Sequence, residues 1–324
     1  MHNNLFLLEK SRENPSAFLN ELEAVRGTFN DFEVLEDNPY FSLISGNYRS
    51  LEVCAFVNRI SMVLMTADEP GQFRDAELPP GKFFVRFWDS GKCHDQRVEP
   101  FLGDLLNGKG RVSFKNPDFF IRIIHSGKWY LCLVKYERSI KEFELRRAPM
   151  RPFFSPVSLH PKYARFLVNL TRAPMGGIII DPFCGTVGIL IEASFTGRRS
   201  VGNDASLNMV LGSRLNLKYM KIKDSRIIHG DFSTLGPDEY FDGIATDLPY
   251  GRSAEIKNYS IEELYEKAFI KFHDLLKKDA YCAVVISDLK MLEYSTGLFE
   301  MVSQTSVRQH RSLTRHFISL KKLK

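Results

Sequence analysis

Two rhythms of apolar and polar positions divide the chain. From residue 176 onward, short apolar runs alternate with longer amphipathic ones. Residues 178–180, 200–202, 226–229, 241–246 and 281–286 are short, apolar and bounded by turn residues, so they read as buried strands. Residues 188–195, 207–219 and 261–276 carry helical spacing between them. This strand–helix alternation predicts an α/β domain with a parallel sheet and right-handed crossovers. The last two runs, 299–304 and 312–320, have no long helix between them, which predicts an antiparallel hairpin at one edge.

The first half is patterned differently. An apolar run at 5–8 precedes Pro15, which opens a helix over 16–25 with Phe18, Leu19 and Leu22 on one face. Short apolar segments at 32–35, 41–44 and 51–65 complete a small α+β pattern. Pro79-Pro80-Gly81 punctuates the chain before a strand at 83–88. A helix over 98–106 ends at Asn107-Gly108, residues 111–114 alternate, and Asn116-Pro117-Asp118 turns the chain. Residues 119–125 and 129–134 flank Ser126-Gly127-Lys128 as a hairpin. A basic, proline-stiffened linker at 145–152 follows. His160-Pro161-Lys162 then opens a helix to Leu170, with Tyr163, Phe166, Leu167 and Leu170 on one face. The expected organisation is an N-terminal α+β segment (1–60), a second α+β module (61–144), the linker (145–152) and the α/β domain (153–324).

Composition adds bounds. The 324 residues, 44% hydrophobic and 26% charged, suffice for two or three globular domains. No apolar run approaches the ~20 residues of a membrane span, and residues 1–10 lack the basic-then-apolar order of a secretory signal. A soluble cytoplasmic protein is expected. The five cysteines are scattered without a C-x-x-C pair, so buried reduced thiols are expected rather than disulfides or a zinc framework. Cys93-His94 is adjacent rather than at ligand spacing, and no metal site is expected. Charge is uneven. Residues 1–81 hold 6 basic and 13 acidic side chains, residues 82–172 hold 18 and 8, and residues 173–324 hold 20 and 18. The basic excess lies mid-chain, where a polyanion would be gripped; a solvated mixed-charge surface is the plainer alternative.

Candidate chemistry collects at the ends of the α/β strands, where such sheets bind ligands. Asp181-Pro182-Phe183-Cys184-Gly185-Thr186-Val187-Gly188 follows the first strand and opens a helix. It is neither G-x-G-x-x-G nor a phosphate loop, which argues against a dinucleotide or ATP. Asp204 ends the second strand, where an acid can accept hydrogen bonds from both hydroxyls of a ribose; the other reading is an N-cap for the next helix. Asp231-Phe232 follows the third strand after Gly230, and an ordinary turn would use the same residues. Asp247-Leu248-Pro249-Tyr250-Gly251 ends the fourth.

These strings resemble known families. The order of the Phe-Val-Arg strand at 84–86, a helix, Val112-x-Phe114-x-Asn116-Pro117-Asp118 and a hairpin resembles the THUMP domain, a tRNA-binding module that follows a ferredoxin-like segment. Asp-Pro-Phe-Cys-Gly-Thr-x-Gly-x-Leu-x-Glu, ending at Glu192, resembles motif I of nucleic-acid amino-methyltransferases. Asp247-Leu248-Pro249-Tyr250 resembles their Asp-Pro-Pro-Tyr motif. With Arg151-Pro152-Phe153-Phe154, Ser158, His160-Pro161-Lys162 and Ala164-Arg165, the whole of 82–324 is similar to the THUMP-containing tRNA guanine-N2 methyltransferases acting on guanosine 10.

The resemblance implies a Rossmann-like domain using S-adenosylmethionine, with tRNA as partner. It implies cofactor contacts from Phe153, Phe154, Asp181, Phe183, Cys184, Gly185, Thr186, Gly188, Asp204, Asp231 and Phe232. It implies catalysis by Asp247, Leu248, Pro249 and Tyr250, a carboxylate and a carbonyl drawing on the N–H of a conjugated amine beside a stacking ring. Two departures stand out. Val187 occupies a place often held by glycine, implying either extended backbone there or a narrowed methionine pocket. Leu248 replaces the first proline. Lys162 and Arg165 are either solvent-exposed helix charges or part of the site, and the late cations Arg308, Arg311, Arg315, Lys321, Lys322 and Lys324 touch phosphate or solubilise an edge strand. An adenine-N6 methyltransferase on RNA or DNA and a non-catalytic tRNA-binding adaptor with a degenerate methyltransferase domain remain as alternatives.

Overall fold

The computed structural model describes residues 4–89, 98–156, 158–236, 240–250, 259–310 and 313–324. Their contacts form two compact units. One comprises described residues of 1–15, 31–52 and 57–138, the other those of 16–30, 53–56 and 139–324.

The first unit is an eight-stranded mixed sheet. Its strands are β1 (Leu5–Lys10), β2 (Phe32–Asp37), β3 (Phe41–Gly46), β4 (Val57–Ala67), β5 (Lys82–Asp89), β6 (Arg111–Val112), β7 (Phe119–Ser126) and β8 (Lys128–Glu137). They lie in the order β2-β3-β1-β4-β8-β7-β5-β6, with β5 parallel to β6 and β7 and the other pairs antiparallel. β4 runs through residue 60, the expected domain boundary, and joins β1 to β8. The helix Val98–Leu106 buries Leu102 and Leu106 in a cluster with Phe83, Val85 and Phe87. Cys93 and His94 lie outside the described residues; the other four cysteines are free and buried.

The second unit is built on β9 (Ile178–Asp181), β10 (Arg199–Asp204), β11 (Ser225–His229), β12 (Phe241–Asp247), β13 (Leu276–Ile286), β14 (Phe299–His310) and β15 (Leu313–Lys322). The order is β11-β10-β9-β12-β13-β15-β14. β9 to β13 pair in parallel, and β15 pairs antiparallel with both β13 and β14. This is the Rossmann-like sheet with its antiparallel hairpin. The final strand is inserted inside the sheet, and β14 forms the edge. β13 starts at Leu276, earlier than the apolar run at 281, because Leu276 is fully buried and pairs with Phe241.

Helices Gly188–Phe195, Leu207–Tyr219 and Ile261–Leu275 follow strands as their spacing predicts. The last packs Tyr265, Phe269 and Phe272 against Ile244, Val284 and Ile286. Ser260 and Glu263 close a capping box at its start, each bonding the other's backbone N–H. The helix Pro15–Phe29 belongs largely to this unit. Its Glu21, 1% exposed, accepts from the N–H groups of Ala55 and Phe56 and from the Asn169 amide.

Arg165 is buried, so it is not a solvent-exposed helix charge. It donates to Glu192, which also receives Arg146 at 2.7 Å, and it bonds Glu142 at 3.2 Å. Glu192 ends the motif that resembles a cofactor loop, yet its carboxylate is fully buried in this ion network and ties the linker to the motif's helix. Removing one partner of such a group would leave an uncompensated buried charge. No helix among the described residues is long and apolar enough to cross a membrane.

Candidate active site

Parallel strands place their carboxyl ends along one edge, and three of them end on aspartate. β9 stops at Asp181, β10 at Asp204 and β12 at Asp247. Asp181 is 2% exposed; one of its oxygens accepts from Thr246 Oγ1 at 2.7 Å and the Phe183 N–H at 3.1 Å. Burial, reinforced by the charges of Asp247 and Asp204, pushes its carboxyl up to about 7. Burial likewise raises Asp247, to about 6, although Arg315 opposes the shift. Asp204 is raised by burial too, against hydrogen bonds from the N–H groups of Ser206 (2.8 Å) and Gly185 (3.0 Å). Its helix is capped by Ser206, whose hydroxyl accepts from Met209, so the N-cap reading of Asp204 is overturned.

The loop after β9 bends back so that the Gly185 N–H reaches Asp204. Gly185 has φ 46°, and a Cβ there would point into open space. Val187 has φ 62° and ψ 27°, which is left-handed. The extended alternative is therefore wrong, and a β-branched residue bears this strain. Its side chain is fully buried with Cys184, Leu190, Ile191 and Val210, and that packing offsets the strain. Asn216, fully buried, donates to the carbonyls of Thr186 and Phe153 and accepts from the Phe153 N–H, clamping the linker beside the loop.

A cavity of about 140 Å³ lies at this edge, lined in part by Asp181, Phe183, Gly185, Thr186 and Asp247. Cys184 and Gly188 line it as well. So do Ser155, Ser158 and Met209, which the sequence reading does not place there. The Ser158 and Thr186 hydroxyls lie 2.7 Å apart. Phe153 and Phe154 are not in the lining. Phe153 packs on Gly212, where even a Cβ would come within 2.2 Å of its ring, and Phe154 is 54% exposed. Asp231 caps a short turn by accepting from the Ser233 N–H, with the Tyr259 hydroxyl at 3.4 Å. Phe232 is buried and lies 4.9 Å from the Phe183 ring.

Beyond Asp247, Leu248 is fully buried and its N–H donates to Val285 O at 3.1 Å. The Tyr265 hydroxyl donates to the Pro249 carbonyl at 3.3 Å. Tyr250 is held by Arg315, whose Nη2 donates to the phenol oxygen at 2.7 Å and Nε at 3.2 Å. The same Nη2 lies 3.4 Å from Asp247 Oδ2. Asp247 Oδ1 is buried with no hydrogen-bond partner among the described residues. Gly251 and Arg311 lie outside those residues. Three carboxylates whose negative charge is disfavoured by burial suit a ligand bearing positive charge. S-adenosylmethionine, with an ammonium and a sulfonium, fits that demand. Among the described residues no group of three or more His, Cys, Asp or Glu side chains could hold a metal.

A Rossmann-like sheet with this loop after its first strand and Asp-x-Pro-Tyr after its fourth defines an S-adenosylmethionine-dependent methyltransferase. The crystal structure of TrmN from Thermus thermophilus has the same fold, with a TM-score of 0.58 at 19% identity over 98% of this chain and 100% of that one. The RMKL-like methyltransferase domain family matches residues 148–316. The chain is 32% identical over 294 residues to tRNA (guanine(10)-N2)-dimethyltransferase of Pyrococcus abyssi, covering 86% of this chain and 88% of that protein. It is 32% identical over 326 residues to the protein so named in Methanothermobacter thermautotrophicus, covering 96% of each. The chain belongs to the tRNA (guanine(10)-N2)-dimethyltransferase family.

Proposed function

We propose that this protein methylates the exocyclic N2 of guanosine 10 in tRNA, with S-adenosylmethionine as donor. The observation that carries the reading is Asp247. Its Oδ1 is unpartnered among the described residues, and the residue lines the same cavity as the Asp181–Gly188 loop. An exocyclic amine conjugated with a purine is a weak nucleophile. An acceptor on its N–H returns electron density to nitrogen as the new bond forms. Asp247 is that acceptor. When bound, the cofactor supplies a methyl group already activated by its sulfonium. Asp181 and Asp204 would hold its ammonium and ribose, and the fixed loop would position it beside the amine. As the N–C bond forms at the expense of the donor's S–C bond, which would leave a neutral thioether, the amine gives up one proton, which Asp247 accepts or passes to water. Tyr250 offers its ring to the base.

A base within paired RNA is out of reach, so the guanosine is unstacked before transfer. The first unit is the tRNA grip in this reading, with a ferredoxin-like segment and a THUMP module. Exposed Lys82, Arg86, Arg111, Lys115 and Lys128 support it. So do the Arg86 guanidinium 4.4 Å above the Phe84 ring and Phe114, 80% exposed, packed edge-on to Phe84. The test is methyl transfer to two transcripts differing only in guanosine or inosine at position 10. Inosine lacks the amine. Transfer to guanosine alone is expected; equal transfer to both overturns the reading.

A further inference from the structure

Arg315 sits in the last strand, 65 residues from Tyr250 in sequence, and the insertion of β15 beside β13 brings it to the end of β12. It is 6% exposed. One guanidinium spans two residues of the Asp-x-Pro-Tyr motif, bonding the Tyr250 hydroxyl through two nitrogens and lying 3.4 Å from Asp247 Oδ2. The other oxygen of Asp247 is left without a partner among the described residues. Resting on the function proposed above, we infer that Arg315 is a positioning residue. It keeps Asp247 ionised with Oδ1 free for the substrate amine, and it fixes the Tyr250 ring where the base stacks.

The surroundings show why a cation is needed. Groups facing Asp247 are Arg315 from β15, Asp181 from β9, Tyr250 beyond β12, and Tyr265 from the helix Ile261–Leu275; Asp288 and His316 lie near the same edge. Burial opposes the Asp247 charge. Arg315 favours it. Arginine suits the place better than lysine, since its planar fork can hold the phenol oxygen and the carboxylate together.

The experiment compares the wild type with Arg315→Gln and Arg315→Lys in pH profiles of kcat on a tRNA transcript. In parallel, the Asp247 carboxylate is titrated by carbon NMR, its signal identified by its loss in Asp247→Asn. Arg315→Gln should move the acidic limb and the titration midpoint up by about one to three pH units, as expected when an adjacent arginine is lost. At pH 7 the rate should then fall between about twofold and about hundredfold, recovering as pH rises. Arg315→Lys should leave the limb in place while raising KM, because the charge stays and the fork on Tyr250 is gone. A folded Gln variant with a profile parallel to wild type and an unmoved midpoint overturns the inference. If Gln does not fold, the Lys variant decides: a kept limb with raised KM upholds it, and an unchanged KM with kcat lost equally at every pH refutes it. Should the wild type transfer no methyl to tRNA, the functional reading fails alone. The NMR midpoint still judges Arg315, a raised value in Gln upholding the coupling and an unmoved one refuting it.

Discussion

Asp181→Asn should stabilise the ligand-free protein above neutral pH while removing its affinity for S-adenosylmethionine. The buried carboxyl titrates at about 7 in the fold against 3.8 as a free group. Because the folded value is the higher one, the folded state holds the proton more tightly. Stability from this group is greatest below the unfolded value and is lost as pH rises through the folded one. The difference of roughly three units corresponds to at most about 4 kcal/mol, fully expressed at pH 8 and below about 1 kcal/mol at pH 4. Asparagine retains an oxygen to accept from Thr246 and Phe183, so the charge is the main change. For a unit of this size each kcal/mol is worth about 2–4 °C, which predicts a melting point up to about 8–16 °C higher at pH 8 and little change at pH 4. Scanning calorimetry at both pH values, with and without S-adenosylmethionine, makes the test, with the cofactor shifting the wild type far more than the variant. A variant no more stable at pH 8, or equally stabilised at pH 4, would refute the claim that Asp181 is a buried charge kept for a cationic ligand.

Three other changes probe the site. Asp247→Ala should lower methyl transfer by at least about hundredfold, the scale of losing one transition-state partner, while calorimetry finds cofactor affinity largely intact; unfolding or lost cofactor binding would make Asp247 structural. Val187→Gly should be less destabilising than Val187→Ala, because glycine relieves a left-handed strain of about 1–2 kcal/mol and alanine keeps most of it; denaturation midpoints in the reverse order would show that the strain is not there. Leu248→Pro should cost about 2–4 kcal/mol, combining the lost bond to Val285 O with lost packing of a fully buried side chain, read from the denaturation midpoint. A neutral effect would mean neither contact matters.

The order of strands and helices from 176 onward is legible because each strand is a short apolar run and each helix keeps its amphipathic period. The carboxylates at the strand ends are legible for the same reason: once a run ends on aspartate, the fold decides where it points. Contacts created by tertiary insertion are not legible. Arg315 reads as one of several cations in a basic tail, and only β15 lying between β13 and β14 turns it toward Tyr250. Val187 reads as a conflict resolved by extended backbone or by a narrower methionine pocket; the left-handed backbone it takes is permitted by the packing of Cys184, Leu190 and Val210 around it. Arg165 and Glu192, both on helices, give no sequence sign of facing each other across a buried interface. The helix Pro15–Phe29 is predicted by its apolar face, but its place in the second unit depends on Glu21 reaching the backbone at 55–56 and Asn169.

The most direct measurement is the identity and position of the methylated nucleoside formed on an unmodified tRNA transcript, read by mass spectrometry after digestion. N2-methylguanosine or N2,N2-dimethylguanosine at position 10, absent with Asp247→Ala, is the result this account predicts. N6-methyladenosine, or guanosine methylated at another atom, would contradict it.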